Sequence, residues 1–243
     1  MESHSAARTI LLSLLLTMGS SIGLHALTFS LAGNWNSSAD VATDEWSYGT
    51  FTTAGNPSTF VVPADKTNSG STENFWTFPP AGGESADPNV EKNLTGSAIF
   101  TAGAEFLPGT VSFGPFQGPA VAQFIAPTAG VYDITATFTT DQIRSGTSDG
   151  TTGYVYVGGA LEYSHALSDP GHAQFGTAET LAPTDFTLTA GEKVDFVLGG
   201  GAFTSEVDAT LTELPEPSVY AMMIVAGLLL FWGLRCRNAS VQA

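Results

Sequence analysis

The stretch Gly130–Thr140, which reads GVYDITATFTT, decides the fold class of this chain. Its apolar residues fall at every second position, at Tyr132, Ile134, Ala136 and Phe138, with Asp and Thr residues between them. Successive side chains of a β-strand point to opposite sides of the sheet. The alternation therefore predicts a strand with one face in a core and the other in solvent.

Alternation of the same period recurs in many other segments. The clearest three are GYVYVGG, GEKVDFVLGG and EVDATLTEL, and the earlier candidates are TFSLA, YGTFTT, TFVV, ENFWTF, SAIFTA, TVSFG and VAQFIA. In GYVYVGG, Val155 and Val157 are expected on one face and Tyr154 and Tyr156 on the other. Turn signals such as PAGGES and SGTSDGTTG separate the segments, and no convincing amphipathic helix interrupts them. We therefore predict an all-β, antiparallel β-sandwich or barrel, and favour a single jelly-roll sandwich.

The charge balance of the chain excludes several classes of partner. There are 7 Lys and Arg residues against 23 Asp and Glu residues, and the formal net charge is −16. Such a surface repels nucleic acid and anionic lipid head groups. The one cysteine, Cys236, lies near the C-terminus, so the body has no internal disulfide and its fold depends on a packed core.

The N-terminal residues 1–26 have the pattern of a secretory signal peptide. Arg8 precedes the apolar run Ile10–Met18, and small residues follow it. This order of a basic, an apolar and a small-residue region is typical of export signals, and the best cleavage position is after Ala26. The alternative interpretation is an uncleaved N-terminal anchor or a buried helix.

The C-terminal run 219–234 has the pattern of a single, short transmembrane helix. It holds no charge and no proline, and it spans about 24 Å at about 1.5 Å per residue. Tyr220 and Trp232 lie near its ends, where interfacial aromatic residues are common. Arg235 and Arg237 follow directly and predict a cytoplasmic C-terminus, with the acidic body outside the cytoplasm.

The residues before this run carry a family resemblance. Pro215, Glu216 and Pro217, then the apolar run, then a short arginine-bearing tail resemble the PEP-CTERM sorting signal. The resemblance implies a bacterial export that is held briefly in the inner membrane and processed by exosortase near the PEP motif. The product would then reach the cell surface or the extracellular space. The alternative interpretation of the C-terminal segment is an ordinary tail anchor.

The expected domains are a signal peptide at 1–26, a β-sandwich ectodomain at 27–214 and a sorting signal at 215–243.

A second resemblance, at the level of the fold, covers most of the body. It rests on five segments: Trp46–Gly49, Pro127–Tyr132, Thr152–Gly159, Ala190–Gly199 and Asp208–Thr210. Their order is similar to that in ectodomains of many exported PEP-CTERM proteins, which look like galactose-binding-type jelly rolls. A shared fold does not define a function.

The body shows no recognisable catalytic motif. It has no G-x-S-x-G sequence and no cysteine. His165, His172 and Asp169 lie close in sequence, but they have no metal-ligand spacing on a defined element. Candidate acid pairs for glycoside hydrolysis come from Glu91, Glu162, Asp195 and Asp208. We expect a protein that is not an enzyme, with a glycoside-acting enzyme as the remote alternative.

Two kinds of ligand are compatible with the remaining residues. Trp35, Trp46 and Trp76 are candidate glycan contacts because aromatic rings stack on sugars, although large rings also fill cores. Asp87, Glu91 and Asp149 are candidate calcium ligands in loops, without an EF-hand pattern. The first hypothesis is an exported, non-enzymatic surface or extracellular-matrix protein sorted by exosortase. The alternative is a carbohydrate-binding module for extracellular polysaccharide that depends on calcium.

Overall fold

The computed structural model describes most of the body and little of the two termini. The described residues are 26–35, 45–62, 66–67, 73–77, 88–101, 104–116, 118–141, 150–167, 176–201, 204–215, 224 and 226–230. The chain divides into two compact units, one formed by Thr28–Leu214 and one by Met1–Leu27 with Pro215–Ala243. The sheets, the core and the candidate sites all belong to the first unit.

The body is built from antiparallel strands, which we number in chain order. They are β1 (Thr28–Ser30), β2 (Trp46–Phe51), β3 (Phe60–Val61), β4 (Lys66–Thr67), β5 (Glu73–Thr77), β6 (Asn89–Asn93), β7 (Ile99–Thr101), β8 (Ala104–Phe106), β9 (Val111–Gly114), β10 (Ala120–Ile125), β11 (Gly130–Thr140), β12 (Thr152–Val157), β13 (Ala160–Ala166), β14 (Glu179–Leu188), β15 (Lys193–Gly199) and β16 (Ser205–Leu214). One 3-10 turn, Pro57–Thr59, precedes β3. The prediction of an all-β body is confirmed for the described residues of Thr28–Leu214.

The strands form two large sheets and a hairpin. The eight-stranded sheet has the order β14-β11-β16-β9-β6-β5-β4, and β1 also pairs with β16. The six-stranded sheet has the order β13-β12-β15-β10-β2-β3, and β7 and β8 form the two-stranded hairpin. Some neighbouring strands are consecutive, such as β12 and β13, whereas others, such as β2 and β10 or β9 and β16, come from distant parts of the sequence, as in a jelly-roll sandwich.

The core lies between the inner faces of the two sheets. Tyr132, Ile134, Ala136 and Phe138 from β11 are buried in one cluster with Phe124 and with residues of β15 and β16. This confirms the predicted inner face of β11, and the alternation predicted for β12, β15 and β16 holds as well. Burying a large apolar side chain stabilises the fold by about 1.5–3 kcal/mol, so this cluster is the main source of stability.

Several strands lack the alternating pattern, so alternation does not predict them. β6 reads NVEKN, and the edge strand β13 reads ALEYSHA with most of its residues exposed. β14 contains Pro183, which is tolerated because β14 lies at the edge of the eight-stranded sheet. The pairing register of β11 with β14 shifts between Ile134 and Ala136, opposite this proline.

The expected signal peptide, 1–26, and most of the expected membrane helix, 219–234, lie outside the described residues. In the second unit, residues 224 and 226–230 are helical, and Ile224, Leu228, Leu229 and Leu230 are exposed. None of the helical residues that are described belongs to a helix of sufficient length and hydropathy to cross a bilayer. The domain boundaries at residues 26 and 215 remain predictions.

Candidate functional site

A groove lies on the outer face of the six-stranded sheet, away from the core. It encloses about 430 Å³ and opens to solvent. Its lining, which defines what we call the tyrosine groove, consists of Ala54, Gly55, Pro115, Phe116, Gly118, Pro119, Tyr154, Tyr156, Val197 and Gly199–Gly201. No described residue of this lining is ionisable at neutral pH, so the groove offers aromatic rings, small residues and backbone.

Two tyrosines of β12 form the aromatic floor of the groove. Val155 and Val157 point into the core, so Tyr154 and Tyr156 must point to the opposite face. Their ring centroids are 6.3 Å apart, with an angle of 30° between the ring planes. Tyr154 is half-buried, whereas Tyr156 is only 7 % exposed. Tyr154 therefore presents the more accessible ring.

A second hydrophobic cluster holds Tyr156 in place. It contains Phe51, Val121, Tyr156 and Val197, with Phe60 and Tyr154 packed against it, and it is separate from the main core. The rings of Phe51 and Tyr156 meet edge-on, with centroids 6.1 Å apart. Aromatic pairs in this arrangement stabilise each other by about 0.5–1.5 kcal/mol beyond burial. The floor of the groove is therefore a packed surface.

Two tight turns form the walls. In the first, Gly118 N donates to Pro115 O at 2.7 Å, and Thr50 Oγ1 donates to Pro119 O at 2.7 Å. In the second, Asn56 N donates to the Thr53 carbonyl at 3.1 Å, and Gly55 adopts a φ of 73°. This left-handed conformation favours glycine. Both walls are thus held by hydrogen bonds of their own.

A buried carboxylate lies next to the groove. Asp195 is opposite Tyr156 in the β12–β15 register, and its Oδ1 accepts a hydrogen bond from Gln123 Nε2 at 2.7 Å. Its other oxygen, Oδ2, is buried and has no hydrogen-bond partner among the described residues. Burial raises the pKa of Asp195 to about 6, against the lowering effects of the Gln123 bond and of Lys193.

Burial and neighbouring groups also change the pKa of Tyr156. Burial, then the nearby Tyr154 and Asp195, raise the pKa of Tyr156 above its usual value. Its hydroxyl therefore stays protonated at neutral pH and is both a hydrogen-bond donor and an acceptor. Together, the two rings and a neutral hydroxyl are suited to hold a ligand with an apolar face and hydroxyl groups.

The three predicted tryptophans are not in this groove. Trp46 is 2 % exposed and packs on Phe124 and Phe196 in the core, so it offers no free ring face to a sugar. Trp35 is partly buried and lies against Tyr48, with 4.3 Å between ring centroids. The side chain of Trp76 lies outside the described residues. The expectation for Trp46 is corrected, because its face of β2 is the core face.

The other candidate residues are dispersed. Asp87, Asp149, His172 and Asp169 lie outside the described residues, as do Glu216, Pro217, Arg235 and Arg237. Glu91 is buried on β6, opposite Ser112 of β9. Within the described ranges, no three Asp, Glu, His or Cys side chains form a ready-made metal site.

Asp195 and Asp208, one of the candidate acid pairs for glycoside hydrolysis, are separated. Asp195 lies on the outer face of the six-stranded sheet, whereas Asp208 is exposed on the outer face of the eight-stranded sheet. His165 Nδ1 lies 3.2 Å from Glu179 Oε2, in an exposed pair between β13 and β14. Two carboxylates on opposite faces of a sandwich cannot act on one glycosidic bond.

The sequence does not single out Tyr154 and Tyr156 as ligand contacts. Their signal is the alternation in GYVYVGG, which places two tyrosines side by side on the face opposite the core. Side chains on the non-core face of a strand do not pack between the two sheets, so packing between the sheets does not account for this pair of rings.

Comparison with known proteins finds solved structures that are distantly similar to this chain, but it finds no matching sequence family. No protein-family model and no curated protein sequence matches the chain. The K1 adhesin domain of Lys-gingipain from Porphyromonas gingivalis W83 is 12 % identical, with a TM-score of 0.34, over 79 % of this chain and 99 % of that one.

Two further solved structures are carbohydrate-binding modules by name. A family 35 carbohydrate binding module from Clostridium thermocellum is 12 % identical, with a TM-score of 0.28, over 58 % of this chain and 98 % of that one. The C-terminal CBM6 of LamC, a marine laminarinase from Zobellia galactanivorans, is 13 % identical, with a TM-score of 0.27, over 41 % of this chain and 78 % of that one.

Proposed function

We propose that the body of this protein binds carbohydrate in the tyrosine groove and has no catalytic role. The observation that supports the proposal most directly is the pair of rings of Tyr154 and Tyr156 on the floor of an open groove of about 430 Å³. Ligand sites of this kind combine aromatic surface with a few polar groups, in cavities of about 300–1,000 Å³. A pyranose ring has the matching chemistry, an apolar face bordered by hydroxyl groups.

The electrostatics favour an uncharged or cationic sugar over an acidic one. The lining contains no Lys, Arg or His residue among the described residues, and Asp195 lies directly beside Tyr156. A sugar carboxylate or sulfate in the groove would meet no cation and would approach a chain of net charge −16. The proposed ligand class is therefore neutral polysaccharide.

The test is retention of the full-length chain, purified in a mild detergent, on a panel of immobilised neutral and acidic polysaccharides. Tyr154→Ala is the main variant, and Tyr156→Phe tests the hydroxyl while keeping the ring in its cluster. Phe100→Ala is the matched control, since Phe100 is an exposed ring on β7, outside the groove.

We expect saturable retention on a neutral polysaccharide, weakened at least tenfold by Tyr154→Ala and unchanged by Phe100→Ala. A tenfold loss of affinity corresponds to about 1.4 kcal/mol of binding free energy. Retention on no polysaccharide, or equal loss in both alanine variants, would overturn the proposal. The body would then be better described as a structural surface or matrix domain.

We also propose that the C-terminal segment delivers this body outside the cell. The sequence of Pro215, Glu216 and Pro217, the apolar run 219–234 and Arg235 and Arg237 supports processing by exosortase after export. The expected mature product ends near Pro215–Ser218 and resides at the cell surface or in extracellular polysaccharide. Intact mass of the protein from its native host tests this, and recovery of a chain that ends at Ala243 would contradict it.

A further inference from the structure

Buried acids lie on the outer face of the eight-stranded sheet, on the other side of the body from the tyrosine groove. Glu206 of β16 is in register with Ser112 of β9, and both point outward because their neighbours Val207 and Phe113 are in the core. Asp141, directly after β11, accepts a hydrogen bond from Ser112 Oγ at 2.9 Å and is fully buried. An outer face of a sandwich is normally solvated, so a buried acid on it requires an explanation.

The β7–β8 hairpin covers these acids and adds a third one. Glu105 N of β8 donates to the Asp141 carbonyl at 3.0 Å, and the Glu105 side chain is largely buried. Leu107 N, directly after β8, donates to Glu206 Oε1 at 3.2 Å. The hairpin therefore removes the acids beneath it from solvent. We call Glu105, Asp141 and Glu206 the hairpin acids.

The hairpin is docked on the sheet through these acids and not through a strand ladder. β7 and β8 form a two-stranded sheet of their own. A two-stranded hairpin alone is marginally stable in water. Besides the bonds to Asp141 and Glu206, Asn93 Nδ2 of β6 donates to the Phe106 carbonyl at 2.8 Å. The docked position therefore depends on the state of the acids beneath the hairpin.

The described hydrogen-bond donors to the hairpin acids carry no charge. Asp141 Oδ1 accepts from Thr204 Oγ1 at 2.6 Å, and Glu206 Oε1 accepts from Thr110 Oγ1 at 3.0 Å. Glu105 Oε2 is buried and has no hydrogen-bond partner among the described residues. A buried carboxylate oxygen without a donor costs free energy, and it costs much more when the carboxylate is ionised.

The charges that act on the hairpin acids are those of other hairpin acids. Burial raises the pKa of Asp141 to about 7, and the charge of Glu206 adds to this effect, whereas the two hydroxyl bonds to Asp141 oppose it. Burial also raises the pKa of Glu206, and the nearby Glu105 adds to that effect. The docked hairpin therefore holds protons that solvated carboxylates would release at neutral pH.

The other charged residues of the adjoining strands do not change this picture. On β6, Glu91 lies on the same face and has an interaction of its own. Lys92 follows it, but its Nζ donates to the Ala32 carbonyl on the other side of the sheet. β9 reads VSFG and has no ionisable side chain. On β16, Asp208 lies two residues from Glu206 and is exposed.

We propose that the β7–β8 hairpin is a pH-sensitive strap, docked on the eight-stranded sheet while the hairpin acids hold protons and released from it as those protons are lost. Ionised carboxylates beneath the docked hairpin are desolvated and repel one another, whereas water solvates each of them once the hairpin is released. The two large sheets keep their own ladders, so the rest of the body stays folded during release.

The sign of the pH dependence follows from Asp141. Its pKa is raised to about 7 from 3.8, so the docked state binds this proton more tightly than the released state does. The stabilisation of the docked state is fully present below about pH 4 and is lost as pH rises through about 7. Between these limits, the equilibrium constant for release should rise up to about tenfold for each pH unit, because release frees one proton.

The test is hydrogen–deuterium exchange of the full-length chain in mild detergent, read by mass spectrometry between about pH 5 and pH 8. The reporter peptide carries the amides of Glu105 and Leu107, because both lose their acceptors when the hairpin is released. Its rate at each pH, divided by the rate of an unstructured chain at that pH, gives the equilibrium constant for release. A peptide from β11 reports unfolding of the whole body.

The variants separate release of the hairpin from unfolding of the body. Asp141→Asn is the main variant, because asparagine is neutral and of the same shape, and the Ser112 hydroxyl can accept from its amide. Glu206→Gln is the second variant. Asp208→Asn, at an exposed acid on β16, is the matched control. Asp195→Asn is a further control, because Asp195 lies on the other sheet and titrates only when the whole body unfolds.

We expect the hairpin to exchange through a larger opening constant than β11 at every pH, rising roughly tenfold per unit from about pH 5 to pH 6.5 and levelling above about pH 7. Asp141→Asn should flatten this rise, whereas Asp208→Asn and Asp195→Asn should keep it. If Asp141→Asn does not fold, Glu206→Gln and the pH series of the unsubstituted chain decide.

Three results would overturn the proposal. The first is an opening constant of the hairpin that does not change with pH. The second is equal opening constants for the hairpin and β11 at every pH, since the hairpin would then open only with the whole body. The third is the same pH response in Asp141→Asn and Asp208→Asn.

Discussion

Gly153 of β12 and Phe138 of β11 face each other across the core, and the glycine leaves room for the ring. A Cβ at position 153 would lie 2.7 Å from Phe138 Cγ, which is closer than real Cβ atoms come. Phe138 also stacks on Tyr163, with centroids 6.1 Å apart and ring planes 7° apart. The ring of Phe138 is therefore confined from two sides, and the spacing of the two sheets depends on Gly153 having no side chain.

Gly153→Ala should destabilise the body through overpacking. Inserting a methyl group into a packed core typically costs about 1–3 kcal/mol. Urea unfolding measures the change in the free energy of unfolding. Gly96→Ala is the matched control, because a Cβ there would meet no atom within 4 Å. Equal stabilities of the two variants would contradict the packing argument.

Trp46→Ala should cost about 3–5 kcal/mol, as expected for loss of a large buried ring. Trp46 Nε1 has no hydrogen-bond partner among the described residues, so the loss is one of packing alone. Polysaccharide retention per folded molecule should not change. A loss of retention at unchanged stability would instead restore Trp46 as a ligand contact.

Stability should fall as pH rises through the titration of Asp195. Its pKa is raised to about 6 from 3.8, so the folded state binds this proton more tightly than the unfolded state. The contribution is fully present below about pH 4 and is lost as pH rises through about 6. The loss is on the order of 3 kcal/mol, because each tenfold difference in proton affinity between the two states corresponds to about 1.4 kcal/mol.

Asp195→Asn should remove this part of the pH dependence. Asparagine keeps an oxygen that accepts the Gln123 hydrogen bond but carries no charge. Denaturant unfolding between about pH 4 and pH 7 measures the slope. Asp185→Asn, at an exposed position on β14, is the control and should leave the slope unchanged. Parallel slopes for Asp195→Asn and the unsubstituted chain would count against burial as the cause.

Retention on a neutral polysaccharide should depend only weakly on salt. No described residue of the groove's lining is charged at neutral pH, so binding gains nothing from charge attraction that salt would screen. Retention measured across a series of NaCl concentrations checks this. A strong loss with salt would point to binding through charged residues elsewhere on the body.

The inner faces of the long strands were predictable because alternation is a local property. Ile134 and Ala136 lie where the pattern places them, whatever the neighbouring strands are. β6 and β13 were not predictable in this way. β6 carries Glu91 and Lys92 in place of alternating apolar residues, and β13 lies at an exposed edge with little to bury. Their pairing depends on the rest of the sheet.

The candidate site was only partly predictable, because the sequence does not say what covers an outer face. Residue type favours the tryptophans as ligand contacts, yet Trp46 is buried in the core. Alternation places the tyrosines of β12 on a shared face, but the walls of the groove come from turns distant in sequence. Glu91 and Glu206 are far apart in sequence, and only the fold brings both of them opposite Ser112 of β9.

Pro183 has a consequence beyond its own strand. A proline has no amide hydrogen, and this one lies in β14, at the open border of the eight-stranded sheet. Together with the register shift beside it, it makes that border a poor template for a strand from another molecule. Copies of the body crowded together can thus stay separate molecules instead of joining into fibrils along this border.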